Sequence, residues 1–237
     1  MTESAAETFS PPPLTALYAA DDNITLLVKR EDGPTICRYT VSRTVMCIVS
    51  PVWRAMLAGR FKEANVQNRD IPLIDDDPEA LLTVLRIAHH RSYEVPKALT
   101  LSQLVNIATI CDKYDTVAMC RPYIGIWATP YIETVNHSQQ ALYLSPGNES
   151  WLWCAWVFGY QETFSKLVNK LRVEISTDKE GSCYTPSGSG PNQLTLLKAN
   201  MPSDVTGEIL MLSLWHRYWS FVTSFYLLIP LIFIVFC

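Results

Sequence analysis

The chain carries none of the short motifs that mark common catalytic machinery. Its 237 residues contain no Gly-x-Ser-x-Gly, no P-loop, no dinucleotide fingerprint and no His-Glu-x-x-His. Histidine is scarce: His89, His90, His137 and His216 make up the full complement of 4. A small hydrolase or transferase on a helical fold, the rival from another class, would need a nucleophile and an oriented base, and none of the four lies in a recognisable motif. His89 and His90 are adjacent, so on a helix they point in different directions. They read as a solvent-facing helix end, where the C-terminal dipole favours His. Cys-x-x-Cys is missing too. The 7 cysteines (37, 47, 111, 120, 154, 183 and 237) lie mostly in apolar runs such as TVMCIV and NIATIC. That pattern fits buried thiols in a reducing compartment, and it offers zinc no closely paired ligands. No catalytic residue, no cofactor and no metal ligand is assigned.

A dense basic block is also absent, with 19 Lys and Arg against 23 Asp and Glu and a net charge of −4. Phosphate binding leaves a basic footprint, so nucleic acid is not an expected partner. The first residues, MTESAAETFSPPP, have neither a basic start nor an apolar core, so no secretory signal is read there. On that reading the sequons at Asn23, Asn136 and Asn148 are chance occurrences, not glycosylation sites. No internal repeat is apparent.

Regular patterning begins near residue 20. Ile24, Leu26 and Val28 alternate, as do Cys37, Tyr39 and Val41, and Glu31-Asp32-Gly33-Pro34 between them is a turn cluster. An antiparallel hairpin follows. Ser42 is placed to cap a helix over Arg43–Val49. Ser50-Pro51 and Asp77-Pro78 each set a capping oxygen before a proline, suited to a first helical turn whose N–H has no partner within the helix. Between those two helices Ile71-Pro72-Leu73 predicts a short strand. Pro72 has no N–H to donate, which places that strand at an edge. After Pro78, Ala80, Leu81, Val84, Leu85 and Ala88 recur at helical spacing. Leu101, Leu104, Val105, Ala108 and Cys111 do the same behind a Thr100…Gln103 capping box.

Pro122 and Pro130 bracket a shorter apolar piece, YIGIWAT. Trp153, Trp156, Val157, Tyr160, Phe164, Leu167, Val168 and Leu171 then form a core-type stripe, in which Gly159 weakens the helix by about 1 kcal/mol and can divide it. The turn-rich text from Thr177 to Pro191 reads as a linker.

Several pieces in order carry a family resemblance: Asn23-Ile24-Thr25-Leu26-Leu27-Val28, Tyr39-Thr40-Val41-Ser42, Ser50-Pro51-Val52-Trp53, Phe61-Lys62-Glu63, Ile71-Pro72-Leu73, Asp76-Asp77-Pro78-Glu79-Ala80 and Cys111-Asp112-Lys113-Tyr114. Together they resemble the BTB/POZ domain in its fungal form, over residues 20 to 120 and more loosely to about 175. The resemblance implies an α+β fold, a short β-sheet flanked by a cluster of α-helices with additional C-terminal helices. It also implies a non-enzymatic module that binds proteins, as a homodimer or by recruiting partners, in some cases as an adaptor for cullin-type ubiquitin ligases. Many members carry an Asp in the first strand and a His at the end of the second, positions held here by Asn23 and Ser42. That departure speaks against the ligase-adaptor alternative. The expected interaction surface is the first helical hairpin, with Thr44, Val45, Ile48, Val52, Trp53 and Met56, which are too many apolar groups for one buried stripe.

The final run, YWSFVTSFYLLIPLIFIVFC (218–237), has no charged side chain. About twenty helical residues span about 30 Å, a bilayer core. Its apolar content favours insertion by about 4–7 kcal/mol. Tyr218 and Trp219 suit the interface, and Phe225, Leu228, Pro230, Ile232 and Phe236 fall within the span. The residues leave two readings open: a single-pass tail anchor holding the module on the cytosolic side, or a wrongly joined coding end, in which case the protein is cytoplasmic or nuclear. The expected organisation is a disordered 1–18, a BTB/POZ-like domain over 19–120, a helical extension over 121–176, a linker over 177–208 and an apolar tail over 209–237.

Overall fold

Alternation in the first patterned segment becomes a sheet. A computed structural model describes residues 14–18, 21–59, 69–137, 150–174, 176–177, 183–186 and 194–196. The chain divides into two compact units, Met1–Trp127 and Ala128–Cys237. In the first, β2 (Asn23–Lys29) and β3 (Thr35–Ser42) form the antiparallel hairpin, in the register Ile24↔Val41 and Leu26↔Tyr39. β4 (Asp70–Ile74) lies parallel to β2 at one edge, and β1 (Leu14–Ala16) lies parallel to β3 at the other, giving the order β1-β3-β2-β4. Pro72 therefore sits on an edge strand, as its missing N–H requires. One sheet face, with Ile24, Leu26, Val28, Cys37, Tyr39, Val41, Ile71 and Leu73, is buried. The fold class is α+β.

The helices start where the capping residues predict. α1 (Arg43–Val49) begins at Ser42, whose Oγ accepts from Val45 N–H at 3.2 Å. α2 (Pro51–Ala58) begins at Ser50, whose Oγ accepts from Trp53 N–H at 3.0 Å. α3 (Pro78–Ala88) begins at Asp77, whose Oδ1 accepts from Ala80 N–H at 2.8 Å. α4 (Leu101–Tyr114) has both halves of the Thr100–Gln103 capping box. The stripe read on α3 is buried, but so are Leu82, Thr83 and Ile87, so the helix is enclosed on nearly every side. It contacts β3, α1 and α4.

Four expectations are corrected. Residues 14–18 were assigned to a disordered segment, yet β1 joins the sheet and Leu17 is buried. Main-chain pairing with β3 supplies the order there, and it leaves no apolar periodicity to read. Pro122 and Pro130 do not bracket a short element, because α5 (Val117–His137) runs through both. Cys120, Ile124 and Trp127 are buried at helical spacing across Pro122, and such packing outweighs a missing main-chain bond.

In the second unit, α6 (Trp151–Phe158) and α7 (Gln161–Glu174) are separate helices. Gly159 ends the first in the left-handed region at φ 76, a conformation glycine adopts without a Cβ penalty. The stripe drawn across it fails on the near side. Trp151, Leu152, Trp153, Cys154, Ala155 and Phe158 are buried, while Trp156 is 44% exposed. Within the supposed linker, β5 (Ser176–Thr177) pairs antiparallel with β6 (Cys183–Pro186), which pairs with β7 (Leu194–Leu196). Strands of two to four residues are too short for alternation to register, so a periodicity test misses them.

Among the described residues no helix is long and apolar enough to cross a membrane. The 218–237 segment lies outside the described residues.

Leu85 and Leu104 are both 0% exposed. Each Leu→Ala change is expected to cost about 2–5 kcal/mol, from lost transfer energy plus a residual cavity. Urea denaturation followed by circular dichroism measures this.

Candidate interaction surface

The expected surface divides into three exposed residues, two half-buried ones and one buried one. Ile48 is 68% exposed and Val52 38%. Thr44 is exposed, and Val45 and Met56 are half-buried. Trp53 is 1% exposed, and its ring stacks on Tyr114 at 4.5 Å with a 20° interplanar angle. It belongs to the core and leaves the surface set. Its indole completes the α2–α4 contact, which spacing along one helix cannot show. Hairpin α1–α2 is held to its own backbone by two arginines: Arg43 donates to Leu57 O at 2.9 Å and Arg54 to Cys47 O at 2.8 Å.

Beneath the hairpin lies a polar network that residue patterns did not reveal. Asp76 is almost wholly buried. It accepts from Lys113 Nζ at 2.6 Å and from the Tyr114 hydroxyl. Lys113 also donates to Ile74 O at 3.2 Å, and Ser50 Oγ donates to Tyr114 O. Burial, and then the Asp76 charge, push the Tyr114 phenol far above its ordinary value. The network ties the β4–α3 junction to the end of α4 and to the cap of α2. The Asp76-Asp77-Pro78 and Asp112-Lys113-Tyr114 pieces were visible in the chain; their pairing required the topology.

His89 corrects another expectation. It does not face solvent; only His90 does. The His89 Nε2 accepts from Ser42 N–H at 3.1 Å, and its Nδ1 lies 2.9 Å from Leu85 O. Ser42 Oγ donates in turn to Asp22 Oδ2 at 2.8 Å, and Thr44 N–H donates to the same oxygen at 3.2 Å. Burial pushes the Asp22 carboxyl up, but the hydrogen bonds from Ser42, Thr44 and Tyr18 outweigh it and hold the group below its ordinary value.

Serine, histidine and aspartate are thus gathered, but in the wrong order for nucleophilic catalysis. The acid touches the serine, while the imidazole meets a main-chain N–H instead of the hydroxyl. The Ser42 hydroxyl is further engaged as the α1 cap. Asn23 Oδ1 accepts from Arg69 at 3.2 Å, next to the Asp22 carboxylate.

Other reactive groups are shut in. The hydrogen bond between Cys111 and Cys120 holds the Cys111 thiol below its ordinary value and pushes the Cys120 thiol up, yet both residues are 0% exposed. Burial pushes the Cys154 thiol up to about 12. Cys37, Cys47, Cys111, Cys120 and Cys154 are free thiols. Among the described residues no group of three or more His, Cys, Asp or Glu is placed to hold a metal ion. A cleft of about 270 Å³ beside α3 is lined by Asp77, Thr83, Arg86, Glu94 and Gln103 among others. Asp77 there caps α3, and Glu94 pairs with Arg86 and Arg91. The membrane-segment residues, from Tyr218 to Phe236, lie outside the described residues.

No protein-family model matches the chain, and no curated protein matches it.

Trp53→Ala is expected to cost about 3–5 kcal/mol, as for a buried aromatic. Ile48→Ala is expected to change stability by about 0.5 kcal/mol or less. Thermal and urea unfolding of the two variants separates the core residue from the surface one.

Proposed function

We propose that the first unit is a BTB/POZ-like interaction module whose α1–α2 hairpin mediates self-association, with recruitment of other proteins as its further role. One observation carries the reading: Ile48 and Val52 stand exposed on a hairpin whose main-chain and arginine contacts hold it firmly to the fold. Exposed apolar groups on a rigid element cost little ordering entropy when a partner covers them. The succession of strand hairpin, helical hairpin, edge strand and helices accords with the resemblance read from the sequence. The closure of Ser42, His89 and Asp22 into a capping arrangement favours a binding module over a hydrolase. Nothing specific favours a cullin-adaptor role, and the uncharged Asn23 and Ser42 weigh against it.

The apolar run 218–237 adds a tether to this proposal, on composition alone. Fused to a soluble reporter, it is expected to carry the reporter into a carbonate-resistant membrane fraction. Leu228→Arg with Ile232→Arg is expected to release it, since each central Arg costs about 2.5–3.5 kcal/mol. A reporter that stays soluble, or pellets without membranes, defeats the tether.

Self-association is tested on the full chain in mild detergent by sedimentation velocity. The wild type is expected to sediment as a dimer at micromolar concentration. Ile48→Asp with Val52→Asp is expected to sediment as a monomer with an unchanged circular dichroism spectrum. A wild type that remains monomeric removes the self-association reading.

A further inference from the structure

We infer that His89 makes self-association through the α1–α2 hairpin pH-sensitive: the neutral imidazole fixes the start of α1, and protonation releases it. The inference rests on the self-association reading for its output and on the Ser42–His89 contact for its mechanism.

The contact is selective for one protonation state. Nδ1 lies 2.9 Å from Leu85 O, an acceptor, so the ring hydrogen is on Nδ1 and Nε2 is free to accept. Nε2 uses that lone pair on Ser42 N–H at 3.1 Å. An imidazolium carries hydrogen on both nitrogens, so two N–H groups would then oppose each other inside a partly buried contact. Ser42 is the residue at which this matters. It closes the β2–β3 ladder opposite Asn23, its hydroxyl caps α1 through Val45 N–H, and it donates to Asp22. Thr44, Val45 and Ile48, half of the expected surface, follow directly on α1.

Charged and titratable groups reach His89 from three sides. From its own chain end, Arg91 and His90 oppose a positive charge. From the segment before β2, Asp22 favours one. From the segment after β1, the Tyr18 ring lies 6.3 Å away, centroid to centroid. Arg43, next to Ser42, directs its guanidinium to Leu57 O. Burial is the largest influence and holds the imidazole below its ordinary value. Asp22 does not rescue the charged form at no cost. An imidazolium turned toward it competes with Ser42 Oγ–H and Thr44 N–H for Oδ2, and those bonds also secure the start of α1.

The sign follows. The unfolded chain takes up the proton near pH 6.5 and the folded chain below that. The stability that the contact contributes is therefore fully present above about pH 6.5 and falls away as pH drops through the folded value, where the contact itself titrates.

Sedimentation equilibrium of the full chain in mild detergent, at about pH 7.5 and about pH 5.5, reads the effect. The wild type and His90→Gln are expected to weaken in self-association by about tenfold or more, within the roughly hundredfold ceiling that one proton per chain, two per pair, sets for each pH unit below the titration. His89→Gln, whose amide oxygen can accept from Ser42 N–H but does not titrate, is expected to show no such change. An unchanged pH response in His89→Gln overturns the inference. Proton–nitrogen NMR of the wild type supplies a measurement free of any variant. The Ser42 amide and the His89 ring are expected to titrate with one midpoint, below 6.5. A Ser42 amide that does not move across that range overturns the inference as well. A chain monomeric at both pH values instead defeats the self-association reading, and the Ser42 amide then decides the coupling.

Discussion

Helix α3 is buried along most of its surface, with Glu79, Thr83 and Arg86 as its polar line, and the first unit is arranged to cover it. A helix with a single apolar stripe needs one partner surface; one enclosed all round needs several. Here β3, α1 and α4 all contact α3, and the buried sheet face with Tyr39 supplies one wall. The Tyr39 hydroxyl donates to Pro78 O at 3.0 Å, tying that wall to the first turn of α3. Burial pushes the phenol far above its ordinary value. β4 serves the same requirement, because Ile71 and Leu73 reach the core while Asp70, Pro72 and Ile74 face out.

The polar groups secure the ends of the elements. Ser42, Ser50 and Asp77 each cap one helix and, in the first two cases, bond to a distant residue as well. Such double use makes a cap a tertiary joint, so that helix start and fold position are set together. Buried side-chain networks are stabilising only when every member is satisfied. Asp76 meets that condition through Lys113 and Tyr114, and Ser42 meets it through His89 and Asp22.

What could be read from the chain and what could not divide along this line. Periodicity and capping chemistry are local, so the β2–β3 hairpin, the starts of α1 to α4 and the edge strand at Pro72 were legible. Gly159 was legible as the point that divides α6 from α7, whereas the exposure of Trp156 was not. The misplacements at β1, α5 and the β5–β7 sheet share one cause: main-chain pairing and tertiary packing leave no trace in a stripe. On the candidate surface, Ile48 and Val52 were legible because they exceed what one helix can bury, whereas Trp53 was misassigned because its partner, Tyr114, is remote in sequence. His89 was misread for the same reason, since its partner, Ser42, lies on another element.

Loss of Trp53 from the surface changes what the hairpin can do alone. A standard interface involves about 20–30 residues on each side. Thr44, Val45, Ile48, Val52 and Met56 are five, and two of them are half-buried already. Hot-spot energetics allow a few residues to dominate binding, but only when surrounding contacts exclude water from them. The ring around Ile48 and Val52 is polar or small, with Thr44, Arg54 and Ala55 exposed nearby, and both arginines of the hairpin spend donors on its own carbonyls. A copy docking here would therefore gain an apolar centre with a rim poor in further anchors. The geometry suits an association of modest strength, in which a small disturbance at the start of α1 shifts the balance between paired and single chains.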